Sequence, residues 1–221
     1  MSDPRARPTP EALRVWLAMG TVYIVWGSTY LAIRIVVADL PPLVTAGTRF
    51  LIAGSIVALV LAIRSGIRHL RVDRRELAGA VLVGAALLLG GNGLVVLAEQ
   101  TVPSALTALI IASTPLWIVL LRRLARERIP GSTLAGVLVG SVGVACLVVP
   151  AWTGAGADPF GIALLLLAEI SWAVGSFVSS RTTMPRDPFV STSYQMLTGG
   201  GLMLAVGLLA GEPFEPLSWV S

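Results

Sequence analysis

The chain has 221 residues, 55% of them hydrophobic and 13% charged, with a mean hydropathy of +0.84. A soluble domain carries roughly twice that charged fraction, so a water-soluble globular protein is excluded. A pI near 10.2 invites a nucleic-acid reading, but the basic residues cluster at the ends of apolar runs, as in a membrane protein.

Residues 1–13 read as a cytoplasmic tail bearing Arg5 and Arg7. The first predicted helix, 14–37, is too long for a signal peptide, has no small-x-small site after it and runs on into Arg34. Within it, "YIVWGSTYLAIR" places Tyr23, Gly27, Tyr30 and Arg34 at i, i+4, i+7 and i+11, with Trp26 on the same side. Lipid offers such a stripe no partner, so it is expected to face a cavity. The second helix, 42–63, contains Arg49 about two turns from its start. Arg34 and Arg49 are candidates for an anionic substrate group, or for pairing with Asp39 or Glu99.

A third helix, 77–98, carries Gly90, Gly91, Asn92 and Gly93, which permit close packing or a local break. In the fourth, 104–121, Pro115 has no N–H for the carbonyl of Ile111, so a kink or hinge is expected there. Gly136, Gly140 and Gly143 give the fifth, 132–149, a small-residue packing face, within the bundle or between protomers. The only cysteine, Cys146, lies in this helix, so no intrachain disulfide can form.

Glu169 stands near the middle of the sixth helix, 160–180, where a charge costs roughly 2.5–3.5 kcal/mol. The neutral acid is the expected resting form, and Glu169 is the candidate for proton coupling. Trp172, Ser176 and Ser180 continue its face. The seventh helix spans 190–210. Each run is near the roughly 20 residues needed to cross a bilayer.

All sixteen basic residues are arginine. They lie in the N-terminal tail and after helices two, four and six, apart from Arg34 and Arg49; the other loops carry Asp39, Glu99, Asp158, Glu212 and Glu215. The positive-inside rule then puts the N-terminus in the cytoplasm. At an offset of 146 residues, Trp26 falls on Trp172, Pro42 on Pro188, Leu51 on Leu197 and Gly54 on Gly200, seven identities in 38 pairs. Five spans separate the two copies, so they are inverted, a hallmark of secondary transporters. The second copy lacks partners for helices three to five. The expectation is an all-α polytopic membrane protein with seven transmembrane helices, a portion of a ten-helix bundle. It comprises a five-helix repeat over 14–149 and an incomplete second repeat over 159–221.

The stretches "IVWGSTYLAIRI", "LPPLVTAGTRFLIAG", "GGNGLVVLAEQTVPSALTALIIASTPLW" and "ISWAVGSFVSSR" resemble the EamA-type branch of the drug/metabolite transporter superfamily, its YedA-like members. The resemblance implies two inverted five-helix repeats, an inner-membrane location and alternating-access movement of small organic solutes, often outward. The expected partners are a small-molecule substrate, protons as a candidate coupling ion, membrane lipids and a second copy through the Gly136/Gly140/Gly143 face; no nucleic acid is expected. No cofactor is expected, and one histidine with one cysteine in separate segments makes neither a metal cluster nor a Cys–His pair. No GxSxG elbow occurs, and an enzyme is not expected. A seven-helix receptor is the alternative, opposed by the expected cytoplasmic N-terminus. The candidate cavity residues are Tyr23, Trp26, Tyr30, Arg34, Arg49, Asn92, Glu169, Trp172 and Ser176, with Pro115 as the gating kink.

Overall fold

The computed structural model describes residues 10–155 and 158–212, and their regular structure is helical throughout. In chain order these are α1 (Pro10–Asp39), α2 (Pro42–Ser65), a 3-10 turn (Ile67–Leu70), α3 (Arg74–Gly84), a π-helical segment (Ala85–Gly93) and α4 (Leu94–Ala98). They are followed by α5 (Ser104–Ile111), α6 (Thr114–Leu124), α7 (Gly131–Ala155), α8 (Pro159–Ser179) and α9 (Pro188–Leu209). Every predicted helical run is therefore helical. Five of the runs are long and apolar enough to cross a membrane: 13–39, 42–65, 74–98, 104–124 and 159–179. The chain is a polytopic membrane protein. In α7 the apolar stretch is shorter, Gly131–Cys146. The hydropathy of α9 is diluted by its consecutive polar residues Ser191 to Gln195 and by Gly199 to Gly201.

Helix starts follow local chemistry. Asp158-Pro159-Phe160 and Asp187-Pro188-Phe189 open α8 and α9: each aspartate accepts from the two amides beyond the proline, which itself has no N–H to satisfy. Asp73 and Glu76 form a reciprocal capping box at the start of α3.

Two predicted helices are not continuous α-helix. The third widens into the π segment across Ala85–Gly93, and α8 fills the gap. The Ser171 hydroxyl donates to the carbonyl of Ala86 at 2.8 Å, and the Trp172 indole N–H donates to Leu87 at 2.8 Å. A Cβ at Gly90 or Gly91 would collide with Ser171 or Trp172, which is why this wall is glycine. The fourth helix breaks between Ile111 and Thr114, just before Pro115.

The closest helix pair is α2 with α9. Gly47 lies against Gly200 and Leu204, Gly54 against Met196 and Leu197, and Gly207 against Val44, so the two run antiparallel. The Ser193 hydroxyl donates to the carbonyl of Gly54 at 3.0 Å. A buried apolar cluster including Ile33, Leu43, Ala46, Val95, Val102, Leu106, Leu165 and Met203 packs one end of the bundle. There the Glu212 carboxylate accepts from the amides of Leu43 and Val44 at 3.2 and 3.0 Å, capping α2. At the opposite end Glu127 ties Arg122 to Arg181, and His69 meets Asp187 at 2.8 Å.

Candidate functional site

A cavity of about 920 Å³ lies between α1, α2, the π segment and α8. Its wall is built from helix faces. On α1 the lining residues are Thr21, Val22, Val25, Trp26, Thr29, Tyr30 and Ile33, a stripe of helical period. Arg49, Phe50 and Ala53 face it from α2, Asn92 from the π segment, and Trp172 and Ser176 from α8. Ile111 and Thr114 flank the α5–α6 break on this wall, and Leu87, Leu88, Val95 and Met196 supply the rest of its apolar surface. The surface is thus mainly apolar and aromatic, with a few polar groups converging on it.

Of the nine candidate cavity residues, Trp26, Tyr30, Arg49, Asn92, Trp172 and Ser176 stand in this lining, while Tyr23, Arg34 and Glu169 do not. Tyr23 lies off the lining stripe of α1, which passes through Val22 and Trp26, about one residue's rotation from the expected face. Arg34 turns instead to the backbone carbonyl of Glu99, and so holds the end of α4 against α1. Glu99 is itself buried, and neither of its carboxylate oxygens has a hydrogen-bond partner.

Polar groups on the wall are tied to one another. The Trp26 indole donates to the Tyr30 hydroxyl at 3.3 Å, and Asn92 donates to the Leu87 carbonyl at 3.2 Å, which Trp172 also uses. The Arg49 guanidinium stacks over Phe50, 4.9 Å from its ring centroid. It makes no ion pair with either Asp39 or Glu99 among the described residues.

Glu169 is fully buried one layer behind the wall. Its Oε2 lies 2.7 Å from the Thr114 hydroxyl, which also sits 2.6 Å from the carbonyl of Ile111. Glu169 Oε1 has no partner. The carbonyl that Pro115 leaves open is therefore met by a side chain one residue before the proline. What the sequence does not show is that Thr114 also reaches Glu169, 55 positions away. Its bond to the freed carbonyl is the one expected of a hydroxyl beside Pro115.

Gly136, Gly140 and Gly143 line no described contact: a Cβ at each meets nothing within 4 Å. No group of three or more metal-ligating side chains occurs among the described residues.

The EamA-like transporter family matches residues 14–149. The uncharacterized inner membrane transporter YedA of Escherichia coli (strain K12) is 35% identical over 212 residues, covering 96% of this chain and 67% of that protein. An uncharacterized transporter of Archaeoglobus fulgidus is 23% identical over 85% of this chain and 65% of its own length. A protein of Escherichia coli (strain K12) named "Probable amino-acid metabolite efflux pump" is 25% identical over 74% of this chain and 54% of its own. No solved structure matches. Nothing in these likenesses supports the receptor alternative. The chain belongs to the EamA-like transporter family.

Proposed function

We propose that this protein is a secondary carrier in the inner membrane that moves small organic solutes, outward in its physiological direction, through the cavity between α1, α2, the π segment and α8. The cavity carries the reading. Its volume of about 920 Å³ is within the roughly 300–1,000 Å³ of small-molecule sites, and its apolar wall with convergent polar groups is typical of them. The likeness to YedA and to a metabolite efflux pump supports the location and the direction. Trp26, Tyr30, Arg49, Asn92, Trp172 and Ser176 are the proposed substrate contacts. An arginine on a membrane cavity wall is a functional-site candidate by default, and Arg49 would favour solutes bearing an anionic group.

Alternating access is proposed to arise from inverted repeats across seven spans, with α7 and α9 completing the membrane set and the N-terminus cytoplasmic. The α2–α9 contact supports this. Exchanging each residue with its partner 146 positions away turns Gly47 beside Gly200 into Ser193 beside Gly54. It also turns Gly54 beside Leu197 into Gly200 beside Leu51. All four contacts occur. A two-fold relation between the copies requires such reciprocity, and the antiparallel packing of α2 against α9 meets that requirement. Glu169 is the proposed proton-coupling group, and the Gly136/Gly140/Gly143 face the proposed contact with a second copy.

The direct test reconstitutes the protein in liposomes and follows efflux of radiolabelled amino acids and aromatic carboxylic acids, with and without a proton gradient. Transport of at least one class should fall about tenfold or more when Arg49 or Trp172 is replaced by alanine, the loss expected of a positioned substrate contact. Transport untouched by both changes would remove this cavity as the route.

A further inference from the structure

Thr114 stands between two oxygens, the Ile111 carbonyl at 2.6 Å and Glu169 Oε2 at 2.7 Å. A threonine hydroxyl has one hydrogen and donates one bond, and a carbonyl only accepts. Both contacts are hydrogen bonds only if Glu169 supplies the second hydrogen. The neutral acid then donates to Thr114, and Thr114 donates to Ile111. Pro115 makes this matter, because it removes the backbone N–H that would otherwise serve the Ile111 carbonyl in a continuous helix.

We propose that Thr114 is a positioning residue that transmits the protonation state of Glu169 to the α5–α6 break in the cavity wall. When Glu169 gives its proton to water, the carboxylate can only accept. It takes the Thr114 hydrogen, since a hydrogen bond to an ionised acceptor is about twice as strong as a neutral one. The Ile111 carbonyl then faces an oxygen lone pair at hydrogen-bond distance in a water-poor interior. The break opens or rotates to find another donor, and Ile111 and Thr114, both on the cavity wall, move with it. The proton thereby acts on the wall without Glu169 itself reaching the cavity.

The surroundings leave Glu169 to act through this contact. The π segment, α4 and α5 contain no titratable side chain, and those of α3 (Arg74, Arg75 and Glu76) lie in its first turn. On α6 the charges are Arg122 and Arg123, two turns beyond Thr114. Tyr30 on α1 is within electrostatic reach of Glu169, whereas Glu99 and Arg49 make no hydrogen bond or ion pair with it.

The inference builds on the carrier reading for its purpose, but its test needs no transport. Absent transport in liposomes would overturn that reading and leave this one standing. In nanodiscs, infrared spectroscopy follows the carboxylic-acid carbonyl band lost in Glu169→Gln, while hydrogen exchange follows the backbone of 112–119 over the same pH series. Exchange in this segment should rise at least about threefold as the band disappears, reporting local opening. Glu169→Gln, whose amide still donates to Thr114, should hold exchange low at every pH. Pro115→Ala should do the same by giving Ile111 its own N–H, while its Glu169 band still titrates. Thr114→Ser should keep the coupling and Thr114→Val should lose it. Exchange that ignores the band in the wild type, a band that does not titrate while the protein stays folded, or pH dependence surviving in both Pro115→Ala and Thr114→Val would overturn the proposal.

Discussion

Asp187 caps α9 and also meets His69 of the 3-10 turn, fastening the α2–α3 connection to the start of α9. The hydrogen bond from His69, with those from the amides of Phe189 and Val190, holds its carboxyl below the ordinary carboxylate range. A depressed folded value means the stabilisation is complete above the unfolded aspartate pKa of about 3.9 and is lost as pH falls through the lower folded value. Asp187→Asn should therefore lower the thermal midpoint at pH 6. The gap from wild type should close as both are taken below about pH 4, as read by scanning fluorimetry in detergent. A gap that widened in acid would assign the loss to something other than this carboxylate. The cap was legible in "RDPF", because aspartate is favoured at the N-cap and proline at the first helical position. The His69 contact was not, because it joins residues 118 positions apart.

At the scale of elements, the sequence announced which runs are helical but not how each would deviate. A proline fixes a break by removing one N–H, so the α5–α6 joint was legible from Pro115 alone. "GGNG" was open to either close packing or a break, because glycine tolerates both. The outcome, a π segment filled by Ser171 and Trp172, depended on another helix. The α1 lining keeps Trp26 and Tyr30 but takes Val22 in place of Tyr23 for a similar reason. Tyr23 has the polarity of a lining residue, while Val22 gains its place only from the neighbouring helices.

Two glycine sets of similar spacing separate packing from mere composition. A Cβ at Gly47 would lie 2.6 Å from the Leu204 amide nitrogen, whereas one at Gly140 meets nothing. Backbone cannot swing aside like a side chain, so Gly47→Ala should cost about 1–3 kcal/mol, the usual range for overpacking. Gly140→Ala should be neutral or gain up to about 1 kcal/mol from helix propensity. Denaturant or thermal unfolding of the two variants in one detergent compares them directly. Destabilisation by Gly140→Ala would mean that the α7 face is covered, as in a dimer.

For the whole molecule, charge placement and the apolar core make separable statements about orientation. The three described ion pairs, His69–Asp187, Arg122–Glu127 and Arg181–Glu127, all fall at the arginine-rich end, and the tightly packed apolar cluster falls at the other. On the proposed orientation, with the arginine-rich end in the cytoplasm, the cluster would close the outer end of the cavity, whose wall it shares through Ile33 and Val95. An exported solute would then have to part Ile33, Leu43 and Val95 from their neighbours. The order of charges is a property of sequence alone, and it was legible. The sealing cluster was not, because it gathers residues from α1, α2, α4, α5, α8 and α9. The orientation can be checked in intact cells on a Cys146→Ala background. An impermeant maleimide should label Gln100→Cys, on the connection between α4 and α5, and spare Thr183→Cys, between α8 and α9, until the cells are opened. The reverse pattern would invert the bundle and place the sealed end in the cytoplasm. Labelling of both positions in intact cells would break the link between α4 and α8 orientation on which the inverted repeat depends, since an odd number of crossings must separate these two sites.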